Sequence, residues 1–314
     1  MPKAKKHYAM PIIIVFSVYL FFFLLKSPIL ANKACYEAIK LCYSKVIPSL
    51  FPFLVLNQLM ISSGFAQMLG KIVGKPISKL FGISEISSFS FISGCLFGFP
   101  LGTKSVSSLY ENKYICKEEA EKLVCFCSNT GPSFVLGFVG IALNNYRIAA
   151  IIYFSQILSA VIIGLILKKK TEVSQTTLNV SPDFSLSRIP SSVTLSLIPM
   201  LNICCYVCFF SVIGASVENL LLYLPISNNF NIFFTGFIEI TNGISKLEPL
   251  GVCSSSLLLC AFFVGWSGIS VILQSIGIMS ECGLPCKKFI ISKFFQGIIC
   301  AFLSFFLSKS LYLY

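Results

Sequence analysis

The sequence predicts an all-α, polytopic membrane protein made of two inverted-topology repeats that contain broken, re-entrant helices. Three observations carry that expectation. Of the 314 residues, 56% are hydrophobic and only 11% charged, where soluble domains carry roughly 25% charged residues. The apolar stretches run continuously instead of alternating, which favours helices over a β-barrel. In each half, two of these stretches are interrupted by Gly, Pro or Asn. So much apolar area cannot be hidden in one water-soluble core. With about 20 residues needed per crossing, the chain has room for roughly eight to ten spans and part-spans.

The elements follow in order. The opening MPKAKKHYAMPIIIVFSVYLFFFLLK has the basic start and apolar core of a signal peptide. The apolar run from Tyr8 to Leu25 is long for that role, and no clean small-x-small site follows. A retained first helix is expected, with Lys3, Lys5 and Lys6 in the cytoplasm. Lys33, Glu37, Lys40 and Ser44 then form a polar stripe at helical spacing, opposed by Tyr36, Ile39 and Tyr43. This predicts an interfacial helix along the membrane, with a plain loop as the alternative. Pro48 and Pro52 open a span expected to reach Leu69, followed by Lys71, Lys75 and Lys79. A short apolar segment from Ile86 to Leu101 breaks at Gly98-Phe-Pro-Leu-Gly102. Next comes a charged helix, KEEAEKL (Lys117 to Leu123), with acids in its first turn and Glu118 spaced to meet Lys122. It runs into Cys125 and Phe126 and breaks at Ser128-Asn-Thr-Gly-Pro132; a span is expected over 149–167.

Lys168 to Arg188 is the one polar linker of any length, and its consecutive lysines assign it to the cytoplasm. The second half echoes the first: a span over 193–217, a break at TGFIEITNG, an apolar segment ending at Gly265-Trp-Ser-Gly268, a short helix to Met279 and a last span over 289–307. The expected organisation is a first membrane repeat over 1–167, with a gate-like domain and broken helices near 86–102 and 118–140. A linker over 168–190 follows. The second repeat, over 191–314, has broken helices near 233–245 and 250–279.

The net charge of +12 lies largely in short basic runs at the ends of apolar segments. It sets topology and favours contact with anionic lipid, and secondarily an anionic solute. No nucleic-acid module is present. The 14 cysteines are scattered through apolar segments and read as small hydrophobes, Cys205-Tyr-Val-Cys208 being the lone CxxC. The single histidine, His7, lies in the tail, so metal sites built from His pairs are excluded. No metal and no cofactor are expected. Glu118 and Glu119 lack the histidines a metalloprotease needs, and a serine hydrolase would lack its base. A membrane enzyme is not expected.

Inside hydrocarbon every backbone amide must be satisfied, so a break there points to a protein-buried or watered cavity. Paired interruptions in two halves point to a transport site near the midplane. The candidate substrate- or ion-binding residues at these breaks are Pro100, Gly102, Asn129, Thr130, Gly131, Glu239, Thr241, Asn242, Gly265, Ser267, Gly268 and Gln274. Glu239 is costly at such depth and marks a pathway, an internal pair with a lysine, or an interface position. Asn129 and Asn242 fit substrate contact or capping of half-helices. Trp266 fits a part in the site or a role in packing and anchoring alone equally well, Lys104 could add charge to the first break or snorkel to the surface, and Gly243 is expected to let the chain turn. Half-helix N-termini suit an anion without a dedicated arginine.

Ser93 to Gly140, with G-x-P-x-G, a KEEA-type helix and an N-[ST]-G-P stretch, resembles the sporulation integral membrane protein YlbJ family. So do T-G-x-x-E-I-T-x-G at Thr235 to Gly243 and G-x-x-G-x-S at Gly265 to Ser270. Positions shared with that family fall on Pro100, Gly102, Asn129, Gly131, Pro132, Glu239, Asn242, Gly265, Gly268 and Gln274; Ser133 and Phe134 depart from its pattern. The family lies within the wider group with nucleoside-recognition, or gate, domains, whose architecture is similar to concentrative nucleoside transporters. The resemblance implies a multi-pass protein of the cell membrane or outer forespore membrane. It would move dipicolinic acid, a small anionic solute; separately, Glu239 could couple that movement to a proton or cation. A transporter of nucleosides or other small solutes and a non-transporting scaffold for spore maturation stay open as alternatives, as does the oligomeric state.

Overall fold

The computed structural model describes residues 9–63, 65–168, 188–221 and 228–311. The N-terminal lysines and nearly all of the polar linker lie outside this set. Among the described residues there is no strand. The chain opens with α1 (Ala9–Lys26), α2 (Pro28–Leu41), a π-helical turn (Cys42–Val46), α3 (Ile47–Ser62) and α4 (Phe65–Phe81).

A hairpin of α5 (Ser88–Phe97) and α6 (Leu101–Glu111) follows. Then α7 (Lys117–Cys127) breaks and resumes as a π-helical stretch (Ser133–Val139) and α8 (Gly140–Ala142), and α9 (Tyr146–Ile166) closes the half. After α10 (Arg188–Leu221) the same order returns. The hairpin is α11 (Asn228–Ile238) and α12 (Ile240–Leu247), the broken helix is α13 (Ser254–Trp266) with α14 (Gly268–Glu281), and the final span is α15 (Lys287–Ser310).

The packing is that of a protein in lipid. Among the described residues, five helices are long and apolar enough to cross a membrane: 28–60, 146–166, 188–220, 254–281 and 287–310. Large apolar side chains such as Phe154, Leu201, Phe302 and Phe306 face outward, while Ser90, Ser93, Ser159, Ser275 and Ser304 are buried. Water would favour the reverse distribution. In lipid, small residues let helices approach closely and interior hydroxyls can bond across or along them. The chain is therefore a multi-pass membrane protein.

Hairpins and breaks meet through glycine. Gly98, at the tip of the first hairpin, has φ +78°, and a Cβ there would lie 2.5 Å from the Gly131 amide nitrogen in the α7 break. Gly268 has φ +79° in the second broken helix, where a Cβ would lie 3.0 Å from the Ile240 nitrogen at the tip of the second hairpin. Each hairpin tip thus rests on the break of the helix that follows it.

The KEEA-type helix fastens the first hairpin. Buried Glu119 accepts hydrogen bonds from the Ser84 amide (2.7 Å) and from the hydroxyls of Ser84 and Ser87 (2.8 and 2.7 Å). A buried carboxylate is tolerable when donors surround it in this way.

Several expectations are corrected. Lys122 does not reach Glu118; its ammonium donates to the carbonyls of Phe81 (2.5 Å) and Gly82 (3.3 Å). The polar stripe of Lys33 to Ser44 does not form a separate interfacial helix. It belongs to a helix that continues through the π turn and past Pro48 and Pro52 into α3. A widened turn ahead of Pro48 suits a position where the ordinary i to i−4 bond is lost anyway. The span ends at Ser62, short of Leu69, and Lys75 and Lys79 belong to α4. Gly243 is no turn: it lies inside α12, where a Cβ would fall 2.2 Å from the Gly236 Cα of the other hairpin arm. Lys104 is exposed on α6.

Candidate functional site

Both hairpin tips and both broken helices border one small central cavity of about 40 Å³. The first half contributes Gly98, Phe99, Gly131 and Ser133, and the second Glu239, Thr241, Ser270 and Gln274. That volume suits about one water. A second cavity, of about 600 Å³, lies between α2, α10 and the α11–α12 hairpin. It is in the range of small-molecule sites. Glu239 lines both cavities, and Asn242 lines the larger one.

Glu239 is the pivot because the chain leaves helical geometry there. With φ −140° and ψ 116° it is the N-cap of α12. Its carboxylate accepts the Thr241 amide at 3.1 Å and the Asn242 amide at 2.7 Å. These are two of the amides that a helix start leaves without intrahelical partners. The carboxyl group also sits at the positive end of the helix dipole, which favours its ionised form. The partners of this acid are main-chain amides and not a lysine. Lys246 on the same helix pairs with Glu218 instead, whose carboxylate also accepts the Thr235 hydroxyl at 2.7 Å. The Asn242 side-chain amide donates to the Ser211 hydroxyl on α10, tying the hairpin to the wall of the larger cavity.

The other sequence candidates divide by placement. Gly131, Thr241 and Gln274 border the central cavity with Glu239. Thr130 ties the first break to the second half, donating from its hydroxyl to the Val264 carbonyl at 2.9 Å. Ser267 adopts the left-handed conformation, φ +77°, at the α13–α14 break, and its hydroxyl is buried without a partner. Gly268 rests on Ile240 as described. Thr130, Ser267 and Gly268 border neither cavity, and neither do four further candidates. Pro100 is the N-cap of α6. Gly102 packs against the Cys127 carbonyl, where a Cβ would come within 2.0 Å, and Gly265 packs on Gly297 of α15. Asn129 is buried facing α15 and accepts from Gln296 at 2.8 Å while donating to Phe126 at 2.8 Å. Trp266 packs and anchors at once: its indole donates to the Phe237 carbonyl at 2.9 Å and stacks on the Phe237 ring at 4.8 Å.

Sequence reading missed Lys293 and Gln296 on α15 and Gln156 on α9. All three are buried behind the first break. The available signal was a Lys and a Gln three residues apart inside the last apolar span.

The geometry defines a class, a multi-pass membrane protein with hairpins and broken helices around a central site, and known proteins match it. Across 96% of this chain and 84% of the other, it superposes on CNTnw in an inward-facing substrate-bound state with a TM-score of 0.62 at 12% identity. For a doubly substituted CNTnw in an outward-facing state the TM-score is 0.55 at 13% identity over 96% and 84% of the two chains. These likenesses concern the fold.

Residues 43–168 match the Gate family, described as nucleoside recognition. The chain is similar to the sporulation integral membrane protein YlbJ of Bacillus subtilis (strain 168), 25% identical over 93% of this chain and 82% of that protein. The resemblance read from the motifs is thereby shown.

Proposed function

We propose that this chain is a membrane transporter of sporulating cells that carries a small anionic solute, dipicolinic acid, across the outer forespore membrane. The observation that carries the reading is the meeting of both hairpin tips and both broken helices at one central cavity, with Glu239 standing between it and a larger cavity. The printed name of the similar Bacillus protein supports the setting in sporulation. The larger cavity supports the charge class: Lys33, Lys40, Lys45 and Lys246 line it, against Glu37, Glu218 and Glu239. The central cavity holds no more than about a water, so a solute enters when a hairpin tip withdraws from the facing break.

In this reading Gly131, Glu239, Thr241, Asn242 and Gln274 contact the solute or a coupling proton or cation. Pro100, Gly102, Asn129, Thr130, Gly265, Ser267 and Gly268 hold the breaks in shape. The repeated order of hairpin, broken helix and span supports two membrane repeats, 1–167 and 191–314, joined by a cytoplasmic linker over 168–190. Lipid surrounds the apolar exterior, and the chain works by transport, not by catalysis.

A second reading, transport of nucleosides, is favoured by the Gate match over 43–168. Uptake into vesicles carrying the purified chain tests both. Accumulation of dipicolinate in preference to nucleosides supports the first reading, and the reverse preference supports the second. No accumulation of either points to a scaffold.

A further inference from the structure

Lys293 is a buried lysine, 1% exposed, on a helix long and apolar enough to cross a membrane. Its ammonium does not snorkel. It donates to the Ser128 carbonyl at 2.8 Å and to the Gln296 side-chain oxygen at 2.8 Å. Ser128 is the C-cap of α7, the first residue of the break. Its carbonyl is one of the acceptors that a broken helix leaves free at its negative end.

Among the described residues no carboxylate pairs with this charge. The ion pairs there are Lys45–Glu248, Lys246–Glu218 and Lys288–Glu121. The ammonium is held by oxygens of neutral groups. Around it lies a polar set closed off from the cavities: the Gln296 amide donates to Asn129 at 2.8 Å and to the Gln156 carbonyl at 3.4 Å. Both side-chain polar atoms of Gln156 are buried without a partner. Freed carbonyls at the negative end of a half-helix, with neutral side-chain oxygens beside them, are where broken-helix carriers hold a monovalent cation.

We propose that Lys293 is a resident cation of the first break: its ammonium holds the position of a dissolved monovalent cation, and removing it uncovers a sodium site on the Ser128 and Gln296 oxygens. The break is then charge-stabilised at every stage of a working cycle, and sodium is not needed there. A lysine serving only to fill space or satisfy one carbonyl would leave no such site behind. The inference deepens the transporter reading and rests on it for its meaning, but its test reads ion binding and stability and needs no transport.

The test uses the purified full chain in detergent, melted in sodium chloride and in choline chloride at equal ionic strength. Wild type is expected to melt at the same temperature in both. Lys293→Ala is expected to melt lower in choline, to recover in a saturable way as sodium is added, and to bind radioactive sodium that wild type does not. Lys293→Arg, which keeps the charge, is expected to remain insensitive to sodium. Lys293→Ala melting identically in the two salts overturns the proposal, and so does a saturable sodium-dependent rise of the same size in wild type and in Lys293→Ala. If Lys293→Ala does not accumulate in membranes, Lys293→Gln is measured in its place: a saturable stabilisation by sodium supports a resident cation, and identical melting in the two salts overturns it.

Discussion

The break after α7 and the break before α12 face the same difficulty with opposite charges. Both leave main-chain groups unpaired inside a membrane-spanning bundle, where each unsatisfied group costs several kcal/mol. At the first break the exposed end is a carbonyl, that of Ser128, and a cation answers it from α15, 165 residues along the chain. At the second the exposed end is a pair of amides, and the carboxylate of Glu239 answers them from within three residues. One solution is distant and sealed away from the cavities. The other is local and stands in the wall of both. The difference separates two jobs that sequence alone runs together, holding a broken helix in shape and meeting a solute.

That contrast can be broken most severely at the glycines. A Cβ at Gly102 would meet the Cys127 carbonyl oxygen at 2.0 Å, and one at Gly243 would meet the Gly236 Cα at 2.2 Å. Neither obstacle is a side chain that can rotate away. Gly102→Ala and Gly243→Ala should each cost at or beyond the upper end of the ~1–3 kcal/mol seen for overpacking, read as lost yield of folded protein. Gly214→Ala on α10, with nothing within 4 Å, should be silent in the same assay.

Next in size is Lys293→Met, which strands the Ser128 carbonyl and the Gln296 side-chain oxygen. Each buried group left unsatisfied costs about 1–3 kcal/mol, so the melting temperature should fall clearly. Glu239→Gln should be milder, because the amide oxygen still accepts from the helix start; a loss of about 1 kcal/mol is typical of a weakened cap. Smallest is Lys246→Met. Its pair with Glu218 is roughly a third exposed on both sides, and pairs of that kind contribute up to about 1 kcal/mol. Finding Glu239→Gln more destabilising than Lys293→Met would invert the division of labour proposed for the two breaks.

How much of this was readable in advance follows the same line between local and distant. The break positions were legible, because Gly98-Phe-Pro, Ser128-Asn-Thr-Gly-Pro and Trp-Ser-Gly268 carry their own backbone chemistry. Glu239 was legible as important because a carboxylate in an apolar run demands a reason, although its capping bonds were not foreseen. Gly243 was misjudged: beside a break, a glycine that permits a turn and one that permits two helix arms to touch have the same neighbours in sequence. The polar stripe of Lys33 to Ser44 was read as facing a membrane surface, yet Lys33, Glu37, Lys40 and Ser44 all line the larger cavity. Helical periodicity shows that a polar face exists but not what lies opposite it. Lys293, Gln296 and Gln156 were invisible because their partners come from other helices, and only packing brings them together.

The most direct test of the account is dipicolinate uptake into vesicles by wild type and Glu239→Gln, with thermal stability of both measured alongside. If Glu239 lines the route, wild type accumulates dipicolinate, and the glutamine variant loses most gradient-driven uptake while melting within a few degrees of wild type. Undiminished uptake by Glu239→Gln at unchanged stability would contradict the claim that the meeting point of the hairpin tips and broken helices is where the solute passes.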